Sequence, residues 1–111
     1  MDIQAEQHGD MLVAHVAEDR IDAASAIQFK ERMREVARMP GATVLLDLSR
    51  VAFLDSSGLG AVVSVMKMLG PDRRLELAGL TPNVMKVFRL TRMDSVFTLH
   101  AVLPDGLRHA G

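Results

Sequence analysis

The spacing of apolar residues changes several times along the chain, and each change marks an element. Ile3 to Gln7 is a weak extended segment suited to a sheet edge, and Gly9-Asp10 reads as a turn. Met11 to Ala17 (MLVAHVA) is rich in β-forming residues, and its continuous apolar run suits a strand covered on both faces. From Ala23 to Arg38 the period lengthens. Ala26, Phe29, Met33 and Val36 recur at three- and four-residue steps, with Lys30, Glu31, Arg34 and Glu35 between them. This predicts an amphipathic helix with one buried stripe, Asp22 as its N-cap and Pro40-Gly41 as its stop. Thr43 to Leu48 (TVLLDL) is nearly all apolar and too short for a helix, so it reads as a central strand. A second helical stretch, Leu59 to Leu69, is apolar at Leu59, Val62, Val63, Met66 and Leu69, and again at Ala61, Val65 and Met68. Gly70-Pro71 stops it. Arg74 to Ala78 alternates as a strand does. Thr81 and Pro82 open a third helix as cap and first-turn proline, with Val84, Val87 and Phe88 on its apolar face. Val96 to Leu99 is a last short strand. The order β-β-α-β-α-β-α-β predicts one open α/β domain, its sheet mixed but mostly parallel, with helices packed against it.

Composition narrows what such a domain does. The 111 residues amount to one domain, well above the roughly 40 below which staples become necessary. Thirteen basic residues face 14 acidic ones, a net charge of −1, so the basic excess of a phosphate-binding nucleic-acid protein is missing. Cysteine is absent, which removes disulfides, thiolate metal sites and cysteine nucleophiles together. The N-terminus lacks the basic and then apolar order of a secretion signal, and no apolar stretch approaches the ~20 residues of a membrane span. The expected location is the cytoplasm, without membrane insertion.

The segment richest in chemistry is the exit of the central strand. Asp55, Ser56 and Ser57 fall at the start of the second helix, where their oxygens can accept from unpaired backbone N–H groups. Gly58 and Gly60 keep the first turn uncluttered, so another backbone or a bulky group can approach. Strand ends that lead into helix N-termini are the usual place for sites in parallel α/β sheets. A hydroxyl there is exposed, held in position and close to a helix end that favours negative charge. Spacing alone leaves two readings: a plain capping sequence, or a serine that receives a phosphoryl group from a partner. Enzyme readings find little support. Gly58-Leu59-Gly60 lacks the third glycine of a dinucleotide fingerprint, no phosphate-binding G-x-x-x-x-G-K-[ST] loop exists, and Ser56 is not in a G-x-S-x-G elbow. His8, His15, His100 and His109 show no motif spacing. His15, in an apolar strand, reads as a satisfied core or edge residue, and His100 and His109 as solvated or packed near the tail. No metal-ligand cluster is visible. The chain is therefore expected to act by binding, with no cofactor and no metal.

The stretch LDLSRVAFLDSSGLGAVV, residues 46–63, resembles the signature of STAS domains, specifically the bacterial anti-sigma-factor antagonists. Their pattern is an apolar strand followed by D-L-x-x-V-x-F-x-D-S-S-G-L-G. Leu80 to Thr91 (LTPNVMKVFRLT) is similar to the family's S/T-P-x-V-x-x-x-F-x-x-[ST] helix, and Ile21-Asp22 to its [LI]-D pair. The likeness spans roughly residues 10 to 100 of a single domain taken as 1–111, with D-S-S-G-L-G its most specific part. It implies phosphorylation at Ser56, the serine directly after the aspartate, with Asp55 and Asp22 as acidic neighbours. It implies as partner an anti-sigma factor with a kinase fold, held by unphosphorylated Ser56 and released on phosphorylation. The expected phosphorylation-loop and partner surface is Asp22, Asp55, Ser57, Gly58, Leu59 and Gly60, with Val65 and Met68 of the widened second helix. That widening has a plainer reading too, a helix covered on two sides by its own domain. Three features depart from the pattern. Asp19-Arg20 stands where many members have glycine; Thr91 is followed by Arg92, which suits a left-handed cap less well than glycine. The chain also stops soon after Pro104-Asp105-Gly106, so its end is expected to be shortened or frayed. STAS-like domains also serve as subunits of lipid- or anion-transport and sensory complexes, which is the alternative reading, and a homodimer stays open.

Overall fold

The computed structural model describes residues 1–104. Asp105 to Gly111 lie outside the described residues, and with them His109 and the expectation of a shortened end. The chain runs β1 (Ile3–His8), β2 (Met11–Val16), β3 (Arg20–Ile21), α1 (Ala26–Val36), β4 (Thr43–Asp47), β5 (Phe53–Leu54), α2 (Ser56–Leu69), β6 (Arg74–Ala78), α3 (Pro82–Leu90), a single 3₁₀ turn (Met93–Ser95) and β7 (Thr98–His100). A five-stranded sheet has the order β1-β2-β4-β6-β7. β1 and β2 form an antiparallel hairpin turned at Gly9, whose φ of +60° suits glycine. β2, β4, β6 and β7 are mutually parallel, joined through helices that α/β connections of this kind require.

The apolar runs conceal an alternation. Leu12, Ala14 and Val16 of β2, Val44 and Leu46 of β4, and Leu75 and Leu77 of β6 point one way and join Phe29, Met33, Val62, Val65, Val84 and Phe88 in the main core. Their neighbours Val13, Leu45 and Ala78 point the other way and make a small second cluster with Met11 and Leu103 against it. All residues from Leu12 to Val16 are buried, as the unbroken run of β2 requires. The sheet is mixed, mostly parallel and packed with helices, as the pattern predicts.

Three boundaries differ from the expected ones. α1 begins at Ala26, not Ala23, because Asp22 caps a preceding turn: its Oδ1 accepts from the Ala24 N–H and the Ser25 hydroxyl, each at 3.1 Å. α2 begins three residues earlier than its apolar stretch, at Ser56. β7 begins at Thr98 rather than Val96. Phe97 is drawn into the core against Phe88, ring centroids 5.9 Å apart and edge to face, so the chain joins the sheet only after it. The two-residue strands β3 and β5 have no counterpart in the sequence reading, and they build the site.

Candidate functional site

β3 and β5 form a two-rung parallel ladder, Arg20 opposite Phe53 and Ile21 opposite Leu54. Its effect is to set two chain exits side by side: the turn that leads to α1, and the first turn of α2. Asp55 joins them. As N-cap of α2 its Oδ1 accepts from the Gly58 N–H at 2.9 Å, while its Oδ2 accepts from the Ala23 N–H at 3.2 Å. Gly58 makes the closeness attainable, since a Cβ there would stand 2.1 Å from the Ile21 carbonyl oxygen. Asp22 is the second carboxylate. Besides capping its own turn, it forms an ion pair through Oδ2 with the Arg20 Nε, 3.0 Å away. The Arg20 guanidinium lies over the Phe53 ring, 4.8 Å from its centroid.

Both carboxylates are thus occupied by backbone or by Arg20. Ser56 and Ser57 are exposed, and their hydroxyls make no hydrogen bond to the described residues. Ser56 is the first helical residue after the cap, where the backbone N–H groups of the α2 start favour added negative charge. The arrangement offers an accessible hydroxyl on a rigid double-loop base.

The structure brings Asp22, Asp55, Ser56, Ser57 and Gly58 together and disperses the rest of the expected surface. Gly60 is exposed, with no heavy atom within 4 Å of where a Cβ would stand, so no neighbouring element packs against that side of it. Leu59 and Val65 are buried in the main core, as is Ala61, and do not share the exposed surface of Ser56 and Ser57. α2 packs on the sheet and along α1 at once, and this internal cover explains its wide apolar arc. Met68 is exposed, but twelve residues beyond Ser56, about 18 Å along a helix.

Sequence reasoning passed over two features. One is the Arg20–Phe53 pair, since two-residue strands have no period to detect. The other is a polar row on the sheet face away from the main core. There His15 and Asp47 are buried and joined, Nδ1 to Oδ2, at 2.7 Å, and Asp47 Oδ1 accepts from the Ser49 N–H at 3.0 Å. His15 is buried, as its apolar strand suggests, and its Nε2 lies 3.7 Å from Glu6 Oε1. Glu76, also buried, meets His100 Nε2 at 2.7 Å and pairs with Arg74 through its other oxygen. An open cavity of about 830 Å³ on this face, lined by His15, Asp47, Ser49 and Arg50 among others, shares no residue with the Ser56 loop.

The STAS domain matches residues 2–106, and the chain belongs to that family. Among its relatives is the anti-sigma-B factor antagonist of Listeria monocytogenes serovar 1/2a, 30% identical over 96 residues, 86% of this chain and 81% of that protein. The crystal structure of an anti-sigma factor antagonist from Mycobacterium paratuberculosis is similar with a TM-score of 0.83 and 26% identity, over 96% of this chain and 90% of that one. The Bacillus cell fate determinant SpoIIAA in its phosphorylated form shares the fold, with a TM-score of 0.63 and 22% identity over 88% of this chain and 90% of that one.

Proposed function

We propose that this chain is an anti-sigma-factor antagonist whose affinity for its partner is set by Ser56. Unphosphorylated, it binds an anti-sigma factor with a kinase fold in the cytoplasm and so frees a sigma factor for transcription. Phosphorylated, it lets go. The observation that carries this reading is the Ser56 hydroxyl, exposed and unbonded at the start of α2 on a base fixed by Asp55. The names of its relatives, and a structural neighbour described in a phosphorylated form, support the same reading.

In the transfer the partner is the catalyst and this chain the acceptor. The Ser56 oxygen attacks the γ-phosphorus of ATP, the new O–P bond forms as the bond to ADP breaks, and the serine proton passes to a base of the kinase. The product carries about −1.5 to −2 charge at neutral pH. The α2 N-terminus accommodates that charge, but Asp55 and a closely apposed partner surface oppose it. A loss of ~3 kcal/mol in the complex lowers affinity about a hundredfold, enough for a switch.

The test is peptide-resolved mass spectrometry of the chain from its native cells, beside Ser56→Ala, with capture of the bound partner. A phosphate on Ser56 that disappears in the variant, and a kinase-fold partner retained by the variant, are expected. No phosphate in growth, starvation or stress overturns the switch and favours a transport or sensory subunit that binds its partner constitutively.

A further inference from the structure

We propose that Arg20 is the intramolecular ligand of a phosphate on Ser56, an inference that rests on the phosphorylation reading above. Arg20 occupies the position where the sequence departs from its family's glycine-containing approach to the [LI]-D pair, and the structure gives that departure a use. Its guanidinium carbon lies over the Phe53 ring, 4.8 Å from the centroid, while its Nε pairs with the Asp22 carboxylate at 3.0 Å. Both terminal nitrogens take no partner among the described residues. A planar fork restrained by an aromatic face and carrying two free donors is the group that binds phosphate oxygens in pairs.

The ladder brings this fork to the side of the Ser56 loop. Arg20 stands opposite Phe53 and Ile21 opposite Leu54, and Asp22 and Asp55 are the next residues of the two chains. The guanidinium already extends along β3 to the Asp22 carboxylate. Ser56 is the next residue after Asp55, a further backbone step of at most about 3.6 Å. A dianionic phosphate there attracts the fork more strongly than a single carboxylate does. Asp22 loses little by the exchange, since its Oδ1 keeps the Ala24 N–H and the Ser25 hydroxyl. Phosphorylation then ties the β3–α1 turn to the first turn of α2 by a second link beside Asp55.

The experiment uses the full chain with phosphoserine installed genetically at position 56, so that no kinase is required. ³¹P NMR follows the second phosphate ionisation across pH in the otherwise unchanged chain, in Arg20→Gln and in Arg20→Lys. A cation in contact lowers that ionisation, so the midpoint should rise by about half a unit or more in Arg20→Gln, with Arg20→Lys between the two. Lys67→Gln, the same loss of charge at the far end of α2, should leave it in place. Coincident midpoints in the unchanged chain and both Arg20 variants overturn the proposal. Whether cells phosphorylate Ser56 is read separately by mass spectrometry, so a failed switch and a failed Arg20 contact are told apart.

Discussion

Arg92 links α3 to the 3₁₀ turn with φ +60° and ψ 19°, a left-handed conformation that crowds any side chain with a Cβ. It is the only positive-φ residue other than glycine among the described residues. Its carbonyl accepts from the Ser95 N–H at 3.2 Å and the Ser95 hydroxyl at 2.7 Å, backbone interactions that glycine would keep. Arg92→Gly is therefore expected to raise stability by about 0.5–1 kcal/mol, the relieved strain exceeding the added freedom of the unfolded chain. Urea unfolding measures it; a lower midpoint would show that the arginine side chain contributes more than its strain. Gly58 is the opposite case. A Cβ there meets the Ile21 carbonyl oxygen at 2.1 Å, and both partners are backbone, so a ladder strand or α2 must move. Gly58→Ala should cost about 2–3 kcal/mol in the same assay. It should also expose the Ser56 loop to limited proteolysis. Both residues were visible in the sequence, one as a glycine inviting close approach, the other as a poor cap. The sequence did not tell that α3 takes the left-handed exit regardless.

At the scale of elements, the connection from α1 to β4 depends on a residue far away in sequence. The Arg73 guanidinium donates to the carbonyls of Ala37 at 2.7 Å, Met39 at 2.9 Å and Gly41 at 2.8 Å. These carbonyls close the helix and lead out of it, where a helix end leaves acceptors unsatisfied and favours positive charge. Arg73→Gln should destabilise the domain by about 2–3 kcal/mol, since charged donors are withdrawn from partly buried acceptors. Hydrogen exchange should show faster opening from 37 to 42 than in β6 itself; uniform change across the chain would contradict a local staple. Such a contact spans more than thirty residues and leaves no periodic trace. The elements that were legible are those long enough to express a period: β2, β4 and β6 through apolar runs, α1 and α3 through three- and four-residue steps. Where the sequence reading failed, a local bond or a tertiary contact prevailed. Asp22 holds a turn instead of starting a helix, Phe97 turns inward before β7, and β3 and β5 are too short to read. The serine loop was found through its motif; the ladder that braces it was not. The breadth of α2 was legible as composition but misleading as exposure, because α1 and the sheet both cover it.

The whole molecule is asymmetric about its sheet. One face carries the main core and the helices; the other carries the small Val13–Leu45–Ala78 cluster, with His15, Asp47 and Glu76 buried among strand neighbours. Burying carboxylates in a sheet is unfavourable unless each is paired, and here the pairing makes stability depend on pH. For Glu76, burial alone would raise the carboxyl. The hydrogen bonds from His100 and then Arg74, with the charges behind them, outweigh it and hold the group below its ordinary value of 4.5. Because the folded value lies below the unfolded one, the folded chain resists protonation. The stabilisation is complete above the unfolded value and is lost as pH falls through the folded one. Urea unfolding from about pH 7 to about pH 3 should give a plateau and then an acid decline, part of which belongs to Glu76. Glu76→Gln keeps the size of the side chain and removes the ionisation. It should be less stable than the unchanged chain at neutral pH, and the gap should narrow as pH falls toward and through the lowered folded value of Glu76. A gap of constant size across that range would mean that Glu76 acts by shape and hydrogen bonding alone, leaving the acid limb to the other carboxylates. A narrowing gap would assign that limb in part to the face opposite the helices, separate from the Ser56 loop.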